Sequence, residues 1–217
     1  MNKIIFILIL LATSNLFAQE VIELPSSSTK VVVKLSFRNG SICDPEGKEG
    51  LTNLTASLLA ETGSDQYSKP EINDLLYPMA ASYGTFTDKE MTTITFAVHV
   101  DFLDKFYEIF RGVLLNPTFA QSDFERVKSN LEVYVKEIIK ASSDEEFSKK
   151  ALEEQLFSGT RYAHMKEGTI EGLAAITRED VVNHYKKYFT AKNVLIGIAG
   201  KYDPAFLKRL KTDVNMM

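Results

Sequence analysis

GKEGLTNLTASLLAETGS, residues 47–64, sets the reading of the whole chain. Leu51, Leu54 and Leu58 recur at the spacing of one helical face, Leu59 and Ala60 lie alongside, glycines stand in front and Thr62-Gly63 closes the run. That is a buried helix. Its polar side is made of Asn53, Thr55 and Ser57 with Ala56 among them, so a helix with the rhythm of a ligand-bearing one offers a carboxamide, hydroxyls and a methyl. Burying three leucines contributes roughly 5–9 kcal/mol at ~1.5–3 kcal/mol each, which accounts for the helix by packing alone.

Working outward, Thr29–Phe37 is a β-branched run ending in the turn Arg38-Asn39-Gly40, which predicts a strand. Residues 69–81 read as a second helix, with Ser68 as N-cap, Pro70 in the first turn and Pro78 kinking or shortening it. Ser82–Thr87 and Met91–Val100 alternate about Asp88-Lys89-Glu90, a β-hairpin with Ile94, Phe96 and Val98 on one face. Asp101 is placed to cap a helix carrying Leu103, Phe106, Phe110, Val113 and Leu114, which stops at Asn116-Pro117. Gln121–Ala141 predicts a long helix, Ser142-Ser143-Asp144 caps another through Phe157, and Thr177 starts a short one. Asn193–Ala199 then reads as a strand, with a last helix from Asp203. Strands come singly or in hairpins rather than in βα alternation, which predicts an α+β fold: a mostly antiparallel sheet with helices covering one face.

The two ends and the composition narrow the classes. Met1-Asn2-Lys3, the apolar run Ile4–Ala12 and Leu16-Phe17-Ala18-Gln19 have the layout of a signal peptide over 1–18, which predicts export to a periplasmic or extracellular site. The run is too short to span a bilayer, and no later segment reads as a membrane span. Residues 19–28 read as a flexible leading segment and 29–217 as a single domain. With Lys3 removed, 24 basic residues face 29 acidic ones, which argues against a nucleic-acid partner. Cys43 is the sole cysteine, so no disulfide forms within the chain and the thiol reads as passive.

Three histidines exist, His99, His164 and His184, and none has a partner His three or four residues away. A zinc site built within the chain is therefore not expected. His99 reads as a surface residue of the hairpin, His164 as a loop residue with a structural role, and His184 as a helix residue near a charged face. Gly-x-Ser-x-Gly is absent, and Gly197-Ile-Ala-Gly200 lacks the spacing of a phosphate-cradling loop. Asp144-Glu145-Glu146 opens a helix, where carboxylates offset the macrodipole.

Taken in order, RNGSICDPEGKEGL, LLNPTFAQSDFERVKSNLEVYV, EEQLFSGTRYAHMKEGTIEGLAAITREDVVNHYKKYF and NVLIGIAG resemble the pitrilysin or insulinase-like (M16) peptidases, over about Lys30 to Leu210. The resemblance implies the LuxS/mitochondrial-processing-peptidase-like metallohydrolase fold. In catalytic members the corresponding helix carries His-x-x-Glu-His, two zinc ligands and a general base; those positions fall here on Asn53, Ala56 and Ser57. The family's third zinc ligand, a glutamate, falls within Leu131–Ile138, where Glu132 and Glu137 stand. A lone carboxylate does not make a zinc site, so no cofactor is expected in this chain although the catalytic relatives use zinc.

The resemblance thus implies a non-catalytic homologue, similar to the zinc-free halves that pair with zinc-bearing ones around an extended peptide. It implies as partners a zinc-bearing M16 subunit, or a second domain missing from 29–217, and peptide held along a sheet edge. Two alternatives stand beside it: a component of a zinc peptidase whose active site is supplied by another chain, and a stand-alone binding or structural fragment. The family's opening also has an extra strand, for which Val21–Leu24 is the one segment available.

Overall fold

The computed structural model describes residues 20–141 and 144–217. Five strands, Glu20–Pro25 (β1), Lys30–Phe37 (β2), Ser82–Thr87 (β3), Thr92–His99 (β4) and Val194–Gly200 (β5), form one sheet in the order β1-β5-β2-β4-β3. Only the β1–β5 pairing is parallel. Among the described residues the helices are Leu51–Glu61 (α1), Lys69–Leu76 (α2), Leu103–Leu115 (α3), Gln121–Ala141 (α4), Asp144–Leu156 (α5), Ile170–Ala175 (α6), Arg178–Tyr188 (α7) and Pro204–Val214 (α8).

Alternation along the strands decides which face of the sheet is covered. Val31, Val33, Leu35 and Phe37 of β2 are buried, and the register sets Leu35 between Ile94 of β4 and Ile196 of β5. The intervening Val32, Lys34 and Ser36 are half-buried or exposed, as are Thr93, Thr95 and Ala97 beside them. Helices occupy the first face: Phe106 and Phe110 of α3 meet Phe96 at ring separations of 5.0 and 4.9 Å. Leu54 and Leu58 of α1, Val181 of α7 and Leu210 of α8 enter the same core. The chain therefore has the expected α+β layer of helices on one side of a mostly antiparallel sheet.

Local chemistry sets several element ends. Ser68 and Glu71 form a reciprocal capping box at α2, and Thr177 with Asp180 does the same for α7. Pro78 shortens α2: the helix stops at Leu76 and closes in a 3-10 turn, Tyr77–Met79, with Ala80 at φ 47°. Asp203 caps α8 through the Ala205 amide.

Three expectations need correction or fall outside the described residues. The segment 19–28, read as flexible, contains strand β1, with Val21 opposite Ile196 and Leu24 opposite Ala199. Of its side chains Val21 packs against the core while the others are exposed, so sequence alternation does not mark it. Asp101 is not a helix cap; Val100–Phe102 is a 3-10 turn, Asp101 donates its amide to the His99 ring, and α3 starts after Phe102. The leader 1–18, Gln19, and Ser142 and Ser143 of the cap expected for α5 lie outside the described residues.

Candidate functional site

The helix quoted at the outset is α1, and its N-terminus is built without a side chain at the cap position. Gly50 takes φ 103°, a left-handed conformation that glycine adopts without steric cost. A β-carbon there would lie 2.8 Å from the Leu173 side chain and 2.9 Å from the Glu167 carbonyl. Asp44, six residues earlier, supplies the missing cap. Its carboxylate accepts from the Gly50 amide at 2.7 Å, the Thr52 amide at 2.7 Å and the Thr52 hydroxyl at 2.6 Å.

Asn53, Ala56 and Ser57, which the resemblance sets against His-x-x-Glu-His, follow on α1. Ala56 is buried and the other two are half-buried. The Ala56 carbonyl accepts from the Thr85 hydroxyl at 3.0 Å, which ties the centre of α1 to edge strand β3. Helix α4, which carries Glu132 and Glu137, packs against α1; Glu132 is half-buried and Glu137 exposed. Among the described residues no group of three or more His, Cys, Asp or Glu side chains is placed to hold a metal ion. The chemistry of the donors agrees: neither carboxamide, methyl nor hydroxyl supplies the thiolate, imidazole or carboxylate set that zinc takes.

The histidines divide as follows. His99 is exposed, its Nδ1 3.4 Å from an Asp101 carboxylate oxygen. His164 is half-buried in the loop before α6, with Nδ1 2.9 Å from the Met165 carbonyl. His184 corrects the expectation of a charged face, because it is buried at 4% exposure. Its Nε2 lies 3.1 Å from the Thr52 hydroxyl and 3.1 Å from the Asn39 side-chain oxygen. Thr52 gives its proton to Asp44, so it accepts from His184, which fixes the Nε2–H tautomer. Burial, and then the nearby Lys187 charge, depress the imidazole pKa to about 4. Burial also pushes the Asp44 carboxyl upward, against the hydrogen bonds from Thr52 and Gly50 and the charge of His164.

Asp44, Thr52, His184 and Asn39 thus form a buried polar chain at the foot of α1. Thr52 is fully enclosed and cannot reach a substrate, so the chain positions the helix rather than reacting. Cys43 beside it is half-buried.

Edge strand β3 is the part of this region that faces outward. One side pairs with β4, whereas among the described residues no strand covers the other. Phe86 is 59% exposed, with the Lys166 ammonium 4.5 Å above its ring. Lys69 caps the other end, its ammonium 2.6 Å from the Ala60 carbonyl and 4.7 Å from the Tyr83 ring centre. An edge of this kind is a template for an added strand.

Residues 21–170 match the sequence family described as Insulinase (Peptidase family M16). A Helicobacter pylori (strain ATCC 700392 / 26695) protein described as the non-peptidase homolog YmxG is 27% identical over 188 residues, covering 85% of this chain and 42% of that protein. Among solved structures, a peptidase M16 inactive domain from Pseudomonas fluorescens superposes with TM-score 0.83 at 20% identity, over 93% of this chain and 49% of that one. A Helicobacter pylori protease superposes with TM-score 0.78 at 14% identity, over 89% and 46%. A chain of complex III2 from Candida albicans follows with TM-score 0.71 at 17% identity, over 89% and 44%. The chain spans less than half the length of each of these relatives.

Proposed function

This chain belongs to the insulinase family of peptidases, family M16, as a non-catalytic M16-like domain, and from that premise we propose that it assists a zinc-bearing partner by binding it, by holding extended peptide along β3, or both. The observation that carries the reading is a juxtaposition. The helix holding Asn53, Ala56 and Ser57 in place of the metal-binding trio is hydrogen-bonded at Ala56 to edge strand β3, whose outer side carries no strand among the described residues. The chemistry is gone from α1, while the surface beside it that can engage a peptide backbone is kept.

The test separates the two halves of the reading. The purified chain, dialysed against zinc, is expected to retain less than about 0.1 equivalent and to cleave no peptide, because zinc needs three or four protein donors around it. One tightly held equivalent, or chelator-sensitive hydrolysis, sinks the non-catalytic assignment. For peptide binding, backbone N-methylation of a bound peptide at alternate residues is expected to weaken it about tenfold, since each methyl deletes a strand hydrogen bond and blocks close approach. Equal tolerance at every position would point to a groove rather than a strand edge.

A second reading, that the domain completes a zinc peptidase whose active site lies in another chain, is favoured by one fact: its relatives carry roughly as much chain again beyond the matched part. Co-purification with a zinc-bearing partner, and loss of that partner's activity on removing this chain, distinguishes the two. We also propose export, motivated by the leader-like residues 1–18. Intact mass of the protein recovered from expressing cells is expected to begin at Gln19; retention of Met1 would overturn it.

A further inference from the structure

Asn39-Gly40, in the turn after β2, is the one place in the sequence where an asparagine precedes a glycine. In an open chain such a pair modifies itself. The Gly40 amide nitrogen, unshielded by a β-carbon, attacks Asn39 Cγ. The new C–N bond closes a five-membered succinimide, the Cγ–Nδ2 bond breaks, and Nδ2 leaves as ammonia with the proton that Gly40 gives up. Water then opens the ring at one of its two carbonyls, leaving aspartate, or isoaspartate with its main chain routed through Cγ.

The fold keeps the two reacting atoms from meeting. Asn39 is fully enclosed and Gly40 is buried. Ring closure needs the Asn39 carboxamide to swing back over its own peptide, yet its Oδ1 lies 3.1 Å from His184 Nε2 in the polar chain at the foot of α1. The peptide is held as well. The Asn39 amide donates to the Phe37 carbonyl at 2.7 Å, the Asn39 carbonyl accepts from the Thr92 hydroxyl at 2.6 Å, and the Ser41 amide donates to the Asp88 carbonyl at 3.0 Å. Gly40 is pressed against the β3–β4 turn: a β-carbon on it would lie 2.2 Å from the Glu90 nitrogen, so the glycine has no room to shift that way.

We infer that Asn39 is a self-modification site held shut by the folded state, which converts to aspartate and isoaspartate when the turn after β2 opens and does not go back. The products do not suit the place they come from. Aspartate adds a carboxylate to an enclosed group that already holds Asp44, and isoaspartate inserts a backbone atom among hydrogen bonds whose spacing sets the turn. Conversion therefore withdraws opened molecules from the folding equilibrium.

The full chain is incubated at mildly alkaline pH across a series of guanidinium concentrations spanning its unfolding transition, and the Lys-C peptide 35–48 is followed by mass spectrometry for loss of the amide. Conversion is expected to be at least about a hundredfold slower in native buffer than in the fully unfolded chain, and to rise with the unfolded fraction through the transition. A native rate within about threefold of the unfolded one, or a rate that stays flat through the transition, overturns the proposal. The wild type carries this comparison, so no variant has to fold. On dilution from guanidinium, converted chains are expected to be depleted at least about tenfold from the folded fraction, and equal recovery of converted and unconverted chains overturns the one-way step.

Discussion

Replacing Asp44 with alanine is expected to cost about 3–5 kcal/mol of folding stability, the sum of a lost helix cap and buried donors left without acceptors. The Gly50 amide, the Thr52 amide and the Thr52 hydroxyl all point at this carboxylate from within 2.7 Å. Asp44 is buried, so water does not replace the lost oxygens without opening the loop before α1. Asn is the informative companion substitution. Its one amide oxygen, placed at Oδ1, still accepts from the Thr52 amide and hydroxyl, while its NH2 group faces the Gly50 N–H, so D44N should lose roughly half as much. Denaturant unfolding of the two variants, with slopes compared to the wild type, measures both. A loss below about 1 kcal/mol for D44A would show that α1 is held by its leucines alone.

The layer architecture was legible because its signals are local. Alternation in Lys30–Phe37 and Thr92–His99 names the covered face, and Ser68, Thr177 and Asp203 announce three helix starts within a few residues each. Strand β1 was hidden for the opposite reason: its partner β5 lies 175 residues away, and one side chain of six meets the core. Reading Asn53, Ala56 and Ser57 as a degenerate motif rests on resemblance alone, since Asn, Ala and Ser at those spacings mean nothing by themselves. The buried chain at the foot of α1 escaped because Asn39 and His184 are 145 residues apart. Two signals could have found it. Val181, Tyr185 and Tyr188 set a helical stripe that includes position 184, and a cap glycine with no side chain of its own calls for an acceptor from elsewhere, which Asp44 is.

That placement of His184 gives stability a dependence on pH. Its imidazole titrates at about 4 in the folded chain against an ordinary 6.5, because burial beside Thr52, Asn39 and the Tyr188 ring disfavours the cation and the Lys187 charge adds to the effect. Below 6.5 the unfolded chain therefore takes up a proton that the folded one does not. The contribution is complete above that value, declines as pH falls toward 4, and amounts to about 3 kcal/mol at 1.36 kcal/mol per unit. Asp44 works the other way: its raised carboxyl holds a proton in the folded state above the pH at which the unfolded one releases it, so its contribution falls as pH rises through that window. The Thr52 and Gly50 hydrogen bonds favour its charged form and restrain that opposition. Substituting glutamine at 184 removes the titrating group while keeping a side chain able to donate to Thr52 and Asn39. Unfolding free energies of wild type and H184Q, measured from about pH 7 to pH 4, should converge as the pH drops, by up to about 3 kcal/mol. Parallel curves would mean that the imidazole is charged in the folded protein, which two acceptors in a buried site do not by themselves stabilise.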